Sequence, residues 1–246
     1  MKIKTLRDLY TTIPTVKELS RIVSFKMGEH ANNCFCYAGN MGSQYCTLQT
    51  RMLIEAISIP LWKRFPERVD RRLSIGDGCS FDGTTATGHA SHASGTKVDF
   101  NYFTFKYNRT QYIPYWMDQS RSKEKGYSMF QKEIIHIWNN PQKGRSLIQG
   151  VFDWERNFFF FAWVIEALPT TTVLVSNGIK NVLRNQASKK YPELWNQIEK
   201  NIQGDDNPDW NHHLHCHTNF GSLDIPNGIE IDWDKKLSWL TTCKEI

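Results

Sequence analysis

The chain has 246 residues, enough for one large domain or two small ones, and enough to bury a core without disulfide staples. Hydrophobic residues make up 40%, charged residues 22% and aromatics 13%, which excludes wholesale disorder. The formal net charge is +5 but uneven: residues 1–75 carry 12 basic and 6 acidic side chains, residues 204–246 carry 3 and 8, and no compact Lys/Arg run suggests a nucleic-acid partner.

The N-terminal stretch MKIKTLRDLYTTIPTVKELS has basic residues but no apolar segment of secretory-signal length behind them. The longest apolar run, Phe158–Ile165, is broken by Glu166 and falls far short of the roughly 20 residues that span a bilayer. The expectation is a soluble chain with no membrane span and no export signal of its own. Residues 1–30 read as a helix or two, best at Val16–Val23, and Gly28–Ser43 as loop or short strand. Leu48, Met52, Ala56 and Ile59 recur at helical spacing, flanked by Leu53, Ile57 and Leu61. They predict an amphipathic helix ending near Pro60.

Residues 73–88 leave a short strand and enter a glycine-rich loop, and Val98–Phe105 reads as a strand. Residues 106–150 are polar and irregular, with a candidate helix at Met129–Asn139. Asp153 is placed to cap a helix running to about Leu168, and the β-branched stretch Pro169–Ser176 reads as a strand. Asn177-Gly178 then turns the chain into a helix near Ile179–Ser188, followed by a polar, Asp-rich loop. A strand at Asn211–Phe220 and an irregular Trp-containing tail complete the chain. The pattern is α+β with no βαβαβ rhythm, and Gly76-Asp77-Gly78 alone is too short a signal for a nucleotide site.

Six cysteines (Cys34, Cys36, Cys46, Cys79, Cys216, Cys243) allow three readings: small buried or free thiols, a zinc or redox site from the Cys34/Cys36/Cys46 cluster, or disulfides. The first is the plainest. The eight histidines are more informative, because six fall in two short segments, while His30 and His136 stand apart. The first segment is GHASHASGTKVDF, residues 88–100; the second is HHLHCH, residues 212–217.

Read as a strand, the second segment puts Leu214, Cys216, Thr218 and Phe220 on one side and His213, His215 and His217 on the other. Three imidazoles on one face are costly as core, since each buried ring nitrogen needs a partner. A metal ion supplies one; a solvated, exposed His-rich strand is the alternative. In the first segment His92 and Asp99 lie seven residues apart with Ser94-Gly95 between them, which suits a turn bringing both side chains to one point. Such a pair is uninformative alone. Added to an H-x-H pair it offers three nitrogen and oxygen ligands, and three protein ligands plus water is the layout of a catalytic zinc site. Cys216 would point away from the histidine face, against a closed Cys-containing site.

These two segments resemble the penicillin-insensitive murein endopeptidases, within the wider group of lysostaphin-like enzymes, D-Ala-D-Ala carboxypeptidases and hedgehog-like domains. The first segment matches the family stretch G-H-x-S-H-x-x-G-x-x-x-D at each fixed position. Ile75–Gly78, the Phe152–Asn157 stretch (as D-W-x-x-N) and the Val173–Ser176 strand are also similar, and the similarity covers about residues 45–220. The resemblance implies an α+β fold in which a small antiparallel sheet flanked by helices carries the zinc site, in a single domain with an N-terminal extension 1–44 and a C-terminal tail 221–246. It implies His92, Asp99 and His215 as zinc ligands, His213 as the assisting group beside the metal, and His89 as a further histidine near the site. Asp77 and His217 are carried over as residues lining the substrate. Two departures stand out. Lys97 replaces a common Asp, and His217 creates a second H-x-H, so the register His215/His217 stays open.

The implied activity is hydrolysis of D-alanyl–meso-diaminopimelate cross-links in peptidoglycan by a zinc-activated water, with no covalent intermediate. The partners would be peptidoglycan peptide stems, at the cell wall or periplasm, as for a phage-type lysis enzyme released by other means. No G-x-S-x-G elbow or Cys–His pairing competes. The rivals are a zinc hydrolase of another small peptide or amide, and a non-catalytic wall- or protein-binding domain on the same scaffold.

Overall fold

In the computed structural model the described residues are 19–25, 28–30, 34–36, 41–66, 73–85, 92–103, 152–205, 212 and 215–221. The expected helix at Val16–Val23 has given way to strand by Ile22, because the β-branched pair Ile22-Val23 finds a partner. Strand β1 (Ile22–Ser24) forms an antiparallel ribbon with β4 (Tyr45–Thr47), Val23 opposite Cys46. The expected helix at Met129–Asn139 lies outside the described residues.

The main sheet has seven strands: β2 (Gly28–His30), β3 (Cys34–Cys36), β5 (Leu73–Ile75), β6 (Lys97–Asn101), β7 (Thr172–Ser176), β8 (Ile202–Asp205) and β9 (His215–Asn219). Their spatial order is β2-β3-β5-β6-β9-β7-β8. The α+β class stands, but the sheet corrects the expectation of a small antiparallel one. β3 runs parallel to β5 and β7 parallel to β8, and the antiparallel part is the centre, β5-β6-β9-β7.

Helix α1 (Leu48–Arg64) starts at Thr47, whose hydroxyl accepts from the Thr50 N–H at 3.1 Å. It does not stop at Pro60. Residues 52–58 are all buried, so tertiary packing on every side holds the helix through a position that lacks one backbone donor. For the same reason it is not the amphipathic stripe the spacing suggests: Glu55 and Ser58 are buried too, with Glu55 held by Arg51 at 3.1 Å.

Helix α2 (Trp154–Ala167) follows the predicted span, and its cap is the predicted Asp153, which accepts from the Arg156 N–H. Its run Phe158–Ile165 is buried throughout. Helix α3 (Asn177–Lys190) begins at Ser176, which accepts from the Ile179 N–H, two residues earlier than the sequence suggests. The polar stretch after it is not loop up to Asp205, and the Asp-rich residues 206–211 lie outside the described residues. The described part forms helix α4 (Pro192–Ile198), a 3-10 turn Glu199–Asn201 and strand β8, so that β7 and β8 are joined by a parallel crossover. Trp195, Ile198 and Ile202 supply the buried contacts there, too sparse among polar residues to read as a pattern.

The core is one cluster spanning both ends of the sheet. Cys34, Cys46, Cys79 and Cys216 are all buried, and Cys79 and Cys216 are free thiols. No described helix is long and apolar enough to cross a membrane.

Candidate metal centre

The site is a consequence of strand register. On β6, Val98 and Phe100 turn to the helical side, where the Phe100 ring meets Phe160 of α2 at 4.9 Å. On β9, Cys216 and Thr218 turn the same way and are buried. Period-two alternation then sends Asp99 of β6 and His215 and His217 of β9 to the opposite face. The antiparallel pairing sets Asp99 directly across from His217 and Phe100 across from Cys216. The Asp99 N–H donates to Asp77 O and its carbonyl accepts from Gly76 N–H, so its backbone polar groups face β5. Opposite β9 it therefore sits in a non-hydrogen-bonded pair, the closer kind, with α-carbons about 4.5 Å apart in general.

His92 reaches this face through the turn the sequence predicts. Ser94 and Gly95 both have positive φ, 66° and 70°, as a tight reversal requires. Gly95 has a second constraint. A Cβ there would lie 2.7 Å from the Thr47 backbone nitrogen, whose N–H donates to Gly95 O at 2.8 Å. Gly78 is fixed similarly: its Cβ would lie 2.3 Å from the Tyr45 carbonyl oxygen, so the Gly76-Asp77-Gly78 motif serves backbone approach.

The result is a buried carboxylate ringed by imidazoles. His92 Nε2 and His217 Nδ1 lie 3.3 and 3.2 Å from Asp99 Oδ1, and His215 Nε2 lies 3.6 Å from Oδ2. The His92 and His217 rings meet edge to face at 4.5 Å. One ligand atom from each of His92, Asp99 and His217 falls within 4.8 Å of the others, a donor set that can hold a metal ion. The nitrogen and oxygen donors suit a borderline divalent ion. The electrostatics ask for positive charge at this point. Burial by itself would raise the Asp99 carboxyl, but His215 and His92 facing it hold it well below the usual carboxylate range. Burial would lower His92, yet Asp99 outweighs it and the imidazole is raised. His215 is pushed down to about 4 by burial, despite Asp99, and so stays neutral at pH 7.

Asp77 lies beside the cluster. Its carboxylate accepts a hydrogen bond from the Ser43 hydroxyl, and its backbone carbonyl faces the His92 ring. On the far side, the start of α2 holds the end of the Asp99 strand. The Asn157 side chain donates to Phe103 O at 2.9 Å and accepts from Phe103 N–H at 3.1 Å. That gives a physical reason for the Asp153-Trp154…Asn157 motif: one residue caps the helix and the other anchors it to the strand.

Of the predicted site residues, His92, Asp99, His215, His217 and Asp77 are brought together, whereas His213 and His89 lie outside the described residues. His217 is part of the tight three-residue group, and His215 lies one step along the same strand face. Sequence reasoning passed over His212. Its ring is buried, 5.6 Å from the His215 ring and 6.3 Å from that of His217, and its Nδ1 is 2.8 Å from Asp205 Oδ2. An Asp seven residues before a His was the available signal, the same spacing as His92 and Asp99 reversed, but strand alternation from Asn211 sets His212 on the apolar side. No family model matches the chain, and no curated protein matches it as a relative.

Proposed function

We propose that the chain is a zinc-dependent endopeptidase of peptidoglycan peptide cross-links, built on a hedgehog-like or D-Ala-D-Ala-peptidase-like scaffold and acting at the cell wall. The observation that carries this reading is the pairing of Asp99 with His217, which joins the two motifs resembling the murein endopeptidases on one sheet face. The ligand set we adopt is His92, Asp99 and His217. The H-x-H register is then His215/His217, and His215 takes the assisting role that the first reading gave to His213. Supporting it are the 3.2–3.3 Å approach of two imidazole nitrogens to one carboxylate oxygen and the longer, 3.6 Å approach of His215 to the other.

Zinc held by His92, Asp99 and His217 would supply Lewis acidity, polarising a carbonyl and lowering the pKa of a water toward about 7. The remaining work belongs to the chain. Asp99 offsets part of the metal charge and, through the strand register, fixes where His217 stands. His215, next to His217 on the same strand face and 3.6 Å from Asp99, is the group placed to exchange a proton with water and the leaving amine. The His92 and His217 rings pack edge to face at 4.5 Å, and strand pairing holds His217 opposite Asp99. Amide hydrolysis by this arrangement needs no covalent enzyme intermediate.

The test is digestion of purified sacculi with the zinc content of the same preparation measured alongside. Conversion of cross-linked dimers to monomers by about one zinc per chain, without new reducing sugar ends, is the expected result. Cleavage next to L-alanine would move the chain to another peptidase specificity, and zinc binding without turnover would leave a binding domain.

A further inference from the structure

We propose that Asp205 is a positioning residue for His212, holding this histidine as the Nδ1–H tautomer so that Nε2 is the nitrogen through which the ring acts beside the His/Asp cluster. The inference deepens the hydrolase reading above and rests on it for the chemistry, though not for the geometry.

Three strands converge on His212. Its carbonyl accepts from the Ser176 N–H at 3.2 Å, at the end of β7, and from the Tyr102 hydroxyl at 2.7 Å, just beyond β6. Its ring Nδ1 meets Asp205 Oδ2 at 2.8 Å, at the end of β8. Backbone and side chain are thus held by different elements, and ring rotation would break the Asp205 contact. A carboxylate only accepts hydrogen bonds, so the Nδ1 facing it must carry the proton, and in a neutral imidazole Nε2 then carries the lone pair. A buried imidazole with a dictated tautomer, set 5.6 Å from the ring of His215, has the form of an oriented base. The same logic governs a histidine whose second nitrogen is fixed by a carboxylate in metal sites and in hydrolytic triads.

The placement favours function over plain packing. β8 lies at the sheet edge, and Asp205 pairs with Ser176, which also starts α3. To satisfy a merely structural His212, any acceptor or donor of similar reach would serve, since either tautomer packs equally well. Only a group that accepts without donating, such as a carboxylate, dictates one tautomer. Asparagine, nearly isosteric, can donate as well as accept and would permit both.

The experiment uses the full chain with 15N-labelled histidine, assigning the His212 ring signals by their loss in His212→Gln. The parent should show His212 as the Nδ1–H tautomer. Asp205→Asn should give a mixture or the reversed tautomer at unchanged zinc content, with kcat on cross-linked muropeptides falling roughly 10²-fold or more and KM changing little. Asp205→Glu should restore the tautomer and part of kcat, and this variant also serves if Asp205→Asn folds poorly. Because Asp205 acts through His212, adding Asp205→Asn to His212→Gln should cost nothing further in kcat. An Nε2–H tautomer in the parent, a tautomer indifferent to Asp205→Asn, or an active parent whose Asp205→Asn variant keeps full kcat would each overturn the inference. An inactive parent that shows the expected tautomer and its loss in Asp205→Asn would overturn the hydrolase reading and leave the Asp205–His212 assignment standing.

Discussion

The two faces of the β6-β9 pair carry opposite chemistry on adjacent residues. Phe100 and Cys216 face each other across the strands and are both buried, Phe100 against Phe160 of α2; Asp99 and His217, one residue away on each strand, face each other on the other side. The first face gains free energy from apolar burial. The second gathers a carboxylate and imidazoles where desolvation works against the charged forms, as the shift of His215 to about 4 records. The helical face holds the strands in a register that the polar face could not hold by itself. This explains why a helix rich in buried aromatics lies behind the site.

Separating the roles of neighbouring histidines on the polar face gives the largest expected effect. His217→Ala should lose zinc and activity together. His215→Ala should keep most of the zinc while kcat falls roughly 10²–10⁴-fold, the range for a positioned acid–base group. Zinc content, kcat and melting temperature on one preparation check both; loss of zinc in His215→Ala with retention in His217→Ala would reverse the two assignments.

The apolar face should respond in stability. Phe160→Ala removes a fully buried ring stacked edge to face on Phe100 and should cost about 3–5 kcal/mol in denaturant unfolding. Where the variant remains folded, zinc stoichiometry should be unchanged, since the site side chains point away from the cavity. Coupled loss of zinc in the folded fraction would mean that the two faces are not mechanically independent.

The link between them runs through the start of α2. Arg156 pairs with Asp153 at 2.8 Å, both almost fully buried, and its guanidinium lies 4.5 Å from the centre of the Phe103 ring. Arg156→Met should cost about 3–5 kcal/mol, because it leaves a buried carboxylate uncompensated, and adding Asp153→Asn should recover part of that. Thermal melts of the single and double variants decide this.

The smallest effect is expected at an ion pair whose lysine is largely exposed. Glu155 joins Lys190 and Tyr191 at the α2–α3 surface. Burial would raise its carboxyl, but the hydrogen bonds from Lys190 and Tyr191 outweigh it and the folded-state value is lowered. The stabilisation is therefore present above the unfolded value, about 4.3 for Glu, and is lost as pH falls through the lower folded value. Glu155→Gln should cost at most about 1 kcal/mol at neutral pH, since Lys190 is largely exposed, and the difference from the parent should vanish in acid melts.

Some of this was legible in the sequence because it depends on local rules. Asp153 as a cap, the β-branched strand before Ser176, the Ser94-Gly95 turn and the alternation of Cys216 and Thr218 against His215 and His217 follow from propensity, turn chemistry and strand period. The two histidine motifs were likewise readable as parts of one cluster, and His92, Asp99, His215 and His217 do meet. Tertiary structure decided what depends on partners distant in the chain. Burial of residues 52–58 carried α1 past Pro60, pairing drew Ile22-Val23 into a strand, and three scattered apolar residues turned a polar stretch into α4 and β8. The same holds within the site. Period alone puts His213, His215 and His217 on one face but cannot say which of them stands opposite Asp99. That choice is a matter of register between strands 116 residues apart at Phe100 and Cys216, both buried on the opposite face. The Asp205–His212 contact is of this kind too, since it exists only because the parallel crossover brings the end of β8 beside the entry to β9.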